Sequence, residues 1–177
     1  MKITRNTKEV LTMAFPKKRT YTIDDIYALP EGQRAELFDG QIYMMAPPNR
    51  IHQELVNRLC QRITNHIDSF AVFLTEDDTN YVEPDISVIC DKNKLTDKGC
   101  DGAPDWIIEI VSPSSSKRDY LTKSTKYEAA GVREYWIVDT EGERVICYFK
   151  GDGFLPTIYG MWDQVPVKIF DGQLKIK

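Results

Sequence analysis

Two acids in this sequence stand where acids are poor strand formers. Asp85 follows Pro84 at the head of a β-rich stretch, and Glu109 lies inside the otherwise apolar run Trp106, Ile107, Ile108, Glu109, Ile110, Val111. Such a run is expected of a strand covered on both faces, where a lone ionised carboxylate carries a heavy desolvation penalty. Glu109 therefore needs a compensating charge, either a cation from elsewhere in the chain or a metal ion.

If the two strands are neighbours, the carboxylates converge, and like charges that close either share a proton or hold a cation. Two carboxylates, the main-chain carbonyl of Ile110 and waters form an all-oxygen set that suits Mg²⁺ or Mn²⁺ and not Zn²⁺. Such an ion can acidify a bound water and stabilise charge on a phosphodiester, and a nearby lysine would orient that water or neutralise the transition state. Lys123 and Lys126, in the segment after Glu109, are the two candidates. Lys123 is one helical turn from both Asp119 and Tyr127, so a surface ion pair with Asp119 competes with catalysis, and Lys126 lies on a neighbouring azimuth.

The elements that must position these groups can be read from pattern. Pro104 to Asp139 reads as strand, helix, strand: Ser116 with Asp119 offers a capping box, Gly131 a helix stop, and the crossover makes Trp106 to Val111 and Glu134 to Val138 parallel. Upstream, Thr22 with Asp25 caps a short helix from Ile23 to Leu29. Asp39-Gly40 joins Arg34–Phe38 to Gln41–Met45 as a hairpin. Asn49 caps a helix whose apolar stripe runs Ile51, Leu55, Val56, Leu59, Ile63, Ile67, Phe70. Ala71–Leu74 and Tyr81–Cys90 read as strands, and Asp91–Ala103 as an exposed loop. After Asp139 the pattern is antiparallel: Arg144–Phe149, Phe154–Tyr159, then Val167–Phe170 paired with Leu174–Ile176 across Asp171-Gly172. The expected architecture is α/β, a mixed β-sheet flanked by helices, with an N-terminal hairpin and C-terminal antiparallel strands.

The totals are those of one soluble domain. The 177 residues are 42% hydrophobic and 28% charged, with a net charge of -4, which disfavours a nucleic-acid glove built on bulk positive charge. Residues 1–20 form a basic arm and 21–177 a single domain. The four cysteines make no C-x-x-C pair, which disfavours a zinc ribbon and fits the thiols of a reducing cytoplasm. No apolar run approaches a membrane span and the N-terminus has no signal-peptide pattern, so a cytoplasmic protein without membrane association is expected.

Pro84-Asp85, Glu109 within IIEIVSPSS, Arg118-Asp119, Lys123, Tyr127, Ala130-Gly131-Val132 and Glu134 to Asp139, together with Glu36 to Gly40 and His52, resemble the putative restriction endonuclease family of the PD-(D/E)XK nuclease superfamily. The resemblance spans about Tyr21 to Phe149. It implies a restriction endonuclease-like core, a metal held by Asp85 and Glu109, Glu36 as an additional acid, and Lys123 as the catalytic lysine. The superfamily pattern places its lysine two residues after the glutamate, where this chain has Val111; in this family the lysine has moved to the following helix, and Lys123 occupies that position. His52 and Lys126 are then the candidate substrate contacts.

The expectation is a Mg²⁺- or Mn²⁺-dependent DNA endonuclease, acting as a homodimer so that two sites address the two strands of a duplex. Blander roles compete at each residue. Asp85 could be a turn aspartate, Glu36 could pair with Arg34, His52 could be structural, and Glu109 with Lys123 could be a buried ion pair in an inactive binding module. A glycosidase using Glu109 and Asp85 fits worse, because no aromatic sugar platform is evident. The serines of Ser112 to Ser116 are accounted for by helix entry, since no nucleophile elbow surrounds them.

Overall fold

Asp39 and Gly40 take positive φ, 47° and 69°, so the hairpin closes through the two-residue turn whose twist matches its strands. In the computed structural model, which describes residues 19–63, 66–68, 70–111 and 119–177, this hairpin is β1 (Ala35–Phe38) and β2 (Gln41–Met44), with Phe38 opposite Gln41. Before it, α1 (Ile23–Tyr27) has the expected capping box: the Asp25 carboxylate accepts the Thr22 N–H at 2.9 Å. Of the expected basic arm, residues 1–18 lie outside the described residues, as does Ser116 of the second capping box.

The helix capped by Asn49 is α2 (Arg50–Cys60), and the cap is made by the Asn49 side chain accepting the His52 N–H at 2.9 Å. Leu55, Val56 and Leu59 are buried, but Ile51 is 58% exposed and the helix stops ten residues short of Phe70. The apolar stripe continues past the helix because Ile67 belongs to β3 (His66–Asp68), which pairs antiparallel with a later strand. Hydrophobic spacing alone does not separate a helix from a helix followed by a short strand.

The stretch Tyr81–Cys90 is two strands, β5 (Tyr81–Val82) and β6 (Ile86–Val88), split at Glu83-Pro84-Asp85. They belong to different sheets. Proline has no N–H for a ladder, and the chain changes sheet there. β4 is confined to Val72–Phe73, and the expected loop Asp91–Ala103 contains a short strand, β7 (Cys100–Asp101), parallel to β4. The expected mixed α/β architecture holds, its strands divided between a five-stranded sheet, order β2-β1-β5-β4-β7, and a six-stranded sheet that runs from Thr157–Gly160 (β11) through Arg144–Phe149 (β10), Glu134–Asp139 (β9) and Trp106–Val111 (β8) to β6 and β3, with a separate hairpin.

The central unit is as the pattern requires. β8 (Trp106–Val111) runs parallel to β9 (Glu134–Asp139), with Trp106 opposite Glu134. Between them lie a π-helical turn (Asp119–Lys123) and α3 (Ser124–Ala130), ended by Gly131 at φ 93°. β10 (Arg144–Phe149) and β11 (Thr157–Gly160) extend the sheet antiparallel. The C-terminal hairpin pairs β12 (Gln164–Val167) with β13 (Gly172–Lys175), so its first strand begins before the expected Val167 and Lys168–Phe170 is a helical turn between the two.

β8 shows how the large sheet divides the core. Trp106, Ile108 and Ile110 face a cluster with α2 and the C-terminal hairpin, whereas Ile107 and Val111 face a second cluster with Tyr127, Tyr135 and Phe38. By the same alternation Glu109 points to the second cluster. Among the described residues no helix is long and apolar enough to cross a membrane.

One further acid is buried. Glu134, fully inaccessible at the start of β9, accepts the Trp136 indole N–H at 2.8 Å and the Ile169 backbone N–H at 3.1 Å, tying β9 to the C-terminal hairpin. Burial raises its pKa from 4.5 to about 7. The folded state therefore keeps a proton that the unfolded chain releases, and stability present below pH 4.5 declines as pH rises toward 7, by about 3 kcal/mol. Urea unfolding at a series of pH values is expected to show this slope, and Glu134→Gln to flatten it in that window.

Candidate active site

Glu109 is compensated from two directions. The Lys123 ammonium donates to its Oε1 at 2.7 Å, and the Tyr127 hydroxyl donates to the same oxygen at 2.9 Å. Lys123 also lies 2.9 Å from Glu36 Oε1, so one cation bridges two acids. All three are buried: Glu36 is 2% exposed, Lys123 4% and Glu109 5%.

Local structure explains how these groups meet. Ala35 and Leu37 of β1 pack into a cluster with α1, while Phe38 faces the cluster containing Tyr127. Alternation sends Glu36 the same way as Phe38. Lys123 ends the π-helical turn, and Tyr127 follows it by four residues in α3, so both project from one helix face toward Glu109. Isolated π-turns are frequent at functional sites. Burial, followed by the charge of Glu109, holds the Tyr127 hydroxyl pKa well above 10, so it stays a donor.

Asp85 stands on the strand next to Glu109. β6 and β8 are antiparallel neighbours with Ile86 opposite Ile108, and one further step along that register sets Asp85 opposite Glu109. Its Oδ2 accepts the Ile110 N–H at 2.7 Å and lies 3.0 Å from His52 Nε2. The asparagine cap of α2 fixes the start of the helix that carries His52. Pro84, set opposite Ile110 by the same register, cannot supply a ladder donor to the Ile110 carbonyl. That carbonyl faces the same strand edge as the Ile110 N–H, the edge to which Asp85 is bonded.

Most of the anticipated residues come together. Glu36, Glu109 and Lys123 form one cluster, and Asp85, His52 and the Ile110 backbone form a second beside it. Lys126 lies apart, paired at the surface with Asp39. Arg34 pairs with Glu83 at 2.7 Å and not with Glu36, and Lys123 reaches both glutamates; the side chain of Asp119, its competing partner by spacing, lies outside the described residues. The bond of Tyr127 to Glu109 is signalled in the sequence by the four-residue spacing of Tyr127 from Lys123. The His52–Asp85 contact had no local signal, because α2 and β6 meet only through tertiary packing.

Among the described residues, no three His, Cys, Asp or Glu side chains form a group that could hold a metal by themselves. Asp85, Glu109 and the Ile110 carbonyl are oxygen donors set on adjacent strands by the β6–β8 register. This all-oxygen set, with waters, fits Mg²⁺ or Mn²⁺.

A model of the family described as Uma2, putative restriction endonuclease, matches residues 23–169. An uncharacterized protein of Synechocystis sp. (strain PCC 6803) is 28% identical over 129 residues, covering 68% of each chain. The crystal structure of a putative nuclease belonging to DUF820 from Anabaena variabilis superposes with a TM-score of 0.67 at 23% identity, over 88% of this chain and 94% of that one. The last likeness supports the fold described above.

The cluster of one cation and two acids makes a prediction independent of any activity. Removing the ammonium leaves two carboxylates buried together. Lys123→Met is therefore expected to lower stability by about 3–5 kcal/mol, measured by urea unfolding at pH 7. Adding Glu36→Gln and Glu109→Gln to Lys123→Met should recover part of that loss.

Proposed function

Because the chain belongs to the Uma2 putative restriction endonuclease family, we propose that it is a Mg²⁺- or Mn²⁺-dependent endonuclease that hydrolyses phosphodiester bonds in DNA. The observation that carries this reading is the placement of Asp85 against the backbone segment that follows Glu109, with the Lys123 ammonium on Glu109 itself. Two carboxylates on adjacent strands with a lysine at hand are suited to phosphate chemistry.

In this proposal Asp85, Glu109 and the Ile110 carbonyl hold the ion. When bound, Mg²⁺ or Mn²⁺ supplies a Lewis acid that acidifies water and offsets negative charge on the phosphodiester. Lys123 is the catalytic lysine: it orients the attacking water and stabilises the extra charge that develops on phosphate. Glu36 holds the same ammonium and keeps it directed into the site. His52 donates to Asp85 through Nε2 and meets substrate at the edge of the site, and Lys126 meets a backbone phosphate by exchanging Asp39 for it.

The alternative, an inactive module that keeps the fold, is favoured by one observation: Lys123 already compensates the buried Glu109 without an ion. Metal binding and cleavage separate the two readings. Purified protein is expected to cut DNA with Mg²⁺ or Mn²⁺, to stop on chelation, and to slow by at least about 100-fold as Asp85→Asn. Failure to cut duplex, branched or single-stranded DNA with either ion would sink the reading, and a folded Lys123→Ala variant with full activity would remove the lysine from it.

A homodimer completes the proposal, since two sites related by a two-fold axis can address both strands of a duplex. Light scattering is expected to give the mass of two protomers; an exclusively monomeric mass removes this part.

A further inference from the structure

We propose that Tyr127 is a positioning residue for Glu109, its hydroxyl holding one carboxylate oxygen so that Glu109 keeps its orientation when Lys123 turns to substrate. This rests on the nuclease reading above and goes beyond it by naming the group that keeps the metal-holding acid in place.

The argument starts from the sharing of Lys123. Its ammonium serves Glu109 at 2.7 Å and Glu36 at 2.9 Å, and the reaction adds a phosphate to its partners. Any movement of this shared ammonium toward the charge that develops on substrate weakens its hold on Glu109, because its three donors are divided among all its partners. The Tyr127 hydroxyl has no such conflict. It has one hydrogen, and that hydrogen is committed to Glu109 Oε1 at 2.9 Å.

The ring is fixed independently of the hydroxyl. Tyr127 is fully buried and meets Tyr135 edge-on at 4.8 Å, and Tyr135 stacks on Tyr148 at 5.6 Å. Packing therefore sets where the oxygen sits, and the oxygen sets the carboxylate. Groups that orient a metal ligand in this way typically change metal affinity when removed, with the ligand itself intact. The two jobs of Tyr127 are separable, because phenylalanine preserves the ring contacts and deletes only the hydroxyl.

Mn²⁺ binding to the free protein, measured by electron paramagnetic resonance without DNA, tests the proposal in wild type and Tyr127→Phe, with near-ultraviolet circular dichroism to establish that both are folded. The variant is expected to bind Mn²⁺ about tenfold more weakly, and its cleavage rate to approach that of wild type as Mn²⁺ is raised. A folded variant whose Mn²⁺ affinity is within about twofold of wild type overturns the role of Tyr127 and leaves the nuclease reading standing. Wild-type protein that binds no Mn²⁺ overturns both. If Tyr127→Phe does not fold, the Mn²⁺-bound crystal structure of wild type decides: the hydroxyl on Glu109 supports the proposal, and a hydroxyl displaced from Glu109 overturns it.

Discussion

The Lys123 ammonium joins the two larger sheets of this protein. Lys123 reaches Glu36 on β1 of the five-stranded sheet and Glu109 on β8 of the six-stranded sheet, from the last position of the π-helical turn. Buried charges are tolerated only when paired and hydrogen-bonded, so these three side chains must find one another for the fold to close. The surrounding features follow from that requirement. Phe38, Tyr127, Tyr135 and Ile107 exclude water around the cluster, and the π-helical turn delivers the lysine at the point where Glu109 faces inward.

The same requirement ties structure to chemistry. A buried acid with a cation of its own is stable without function, which is why the ion pair alone does not identify a catalytic site. Asp85 adds the second element. It sits at the break between β5 and β6, where proline interrupts the ladder, and it bonds to the backbone directly after Glu109. An ordinary antiparallel pair would consume both main-chain groups of Ile110. Here the N–H goes to a carboxylate, and proline has no hydrogen to give the carbonyl.

Much of this was legible in the residues because local rules carried it. Asp39-Gly40 demanded a tight hairpin, Gly131 a helix stop, and the run around Glu109 a doubly covered strand with one acid to compensate. The pairing of β6 with β8 is the condition on which the convergence of Asp85 and Glu109 rests, and the register supplies it. What failed were boundaries set by tertiary packing. Ile67 looked helical because it extended the stripe of α2, yet it pairs with Ser87 in a strand. Val167 looked like the start of a strand, yet it is the last residue of β12, opposite Gly172. The division into two sheets was not legible either, because it depends on which long-range partners Tyr81 and Ile86 take after the chain turns at Pro84. In the site, the pairing of Lys123 with Glu109 is legible from the need of a buried acid for a cation, whereas nothing in the residue types alone says that the Tyr127 hydroxyl is spent on the same acid.

The bridging lysine also has a consequence for the order in which the chain can assemble. Glu109, Lys123 and Tyr127 belong to one strand, helix, strand unit, and the bonds from Lys123 and Tyr127 to Glu109 span 14 and 18 residues. Glu36 comes from a hairpin far upstream, so its approach requires closing a much larger loop and loses more chain entropy. The crossover unit can therefore form its own internal ion pair early, while the second acid arrives only when the hairpin docks. Completion of the site thus coincides with the joining of the two sheets, and a chain that has not finished folding has not finished building its site.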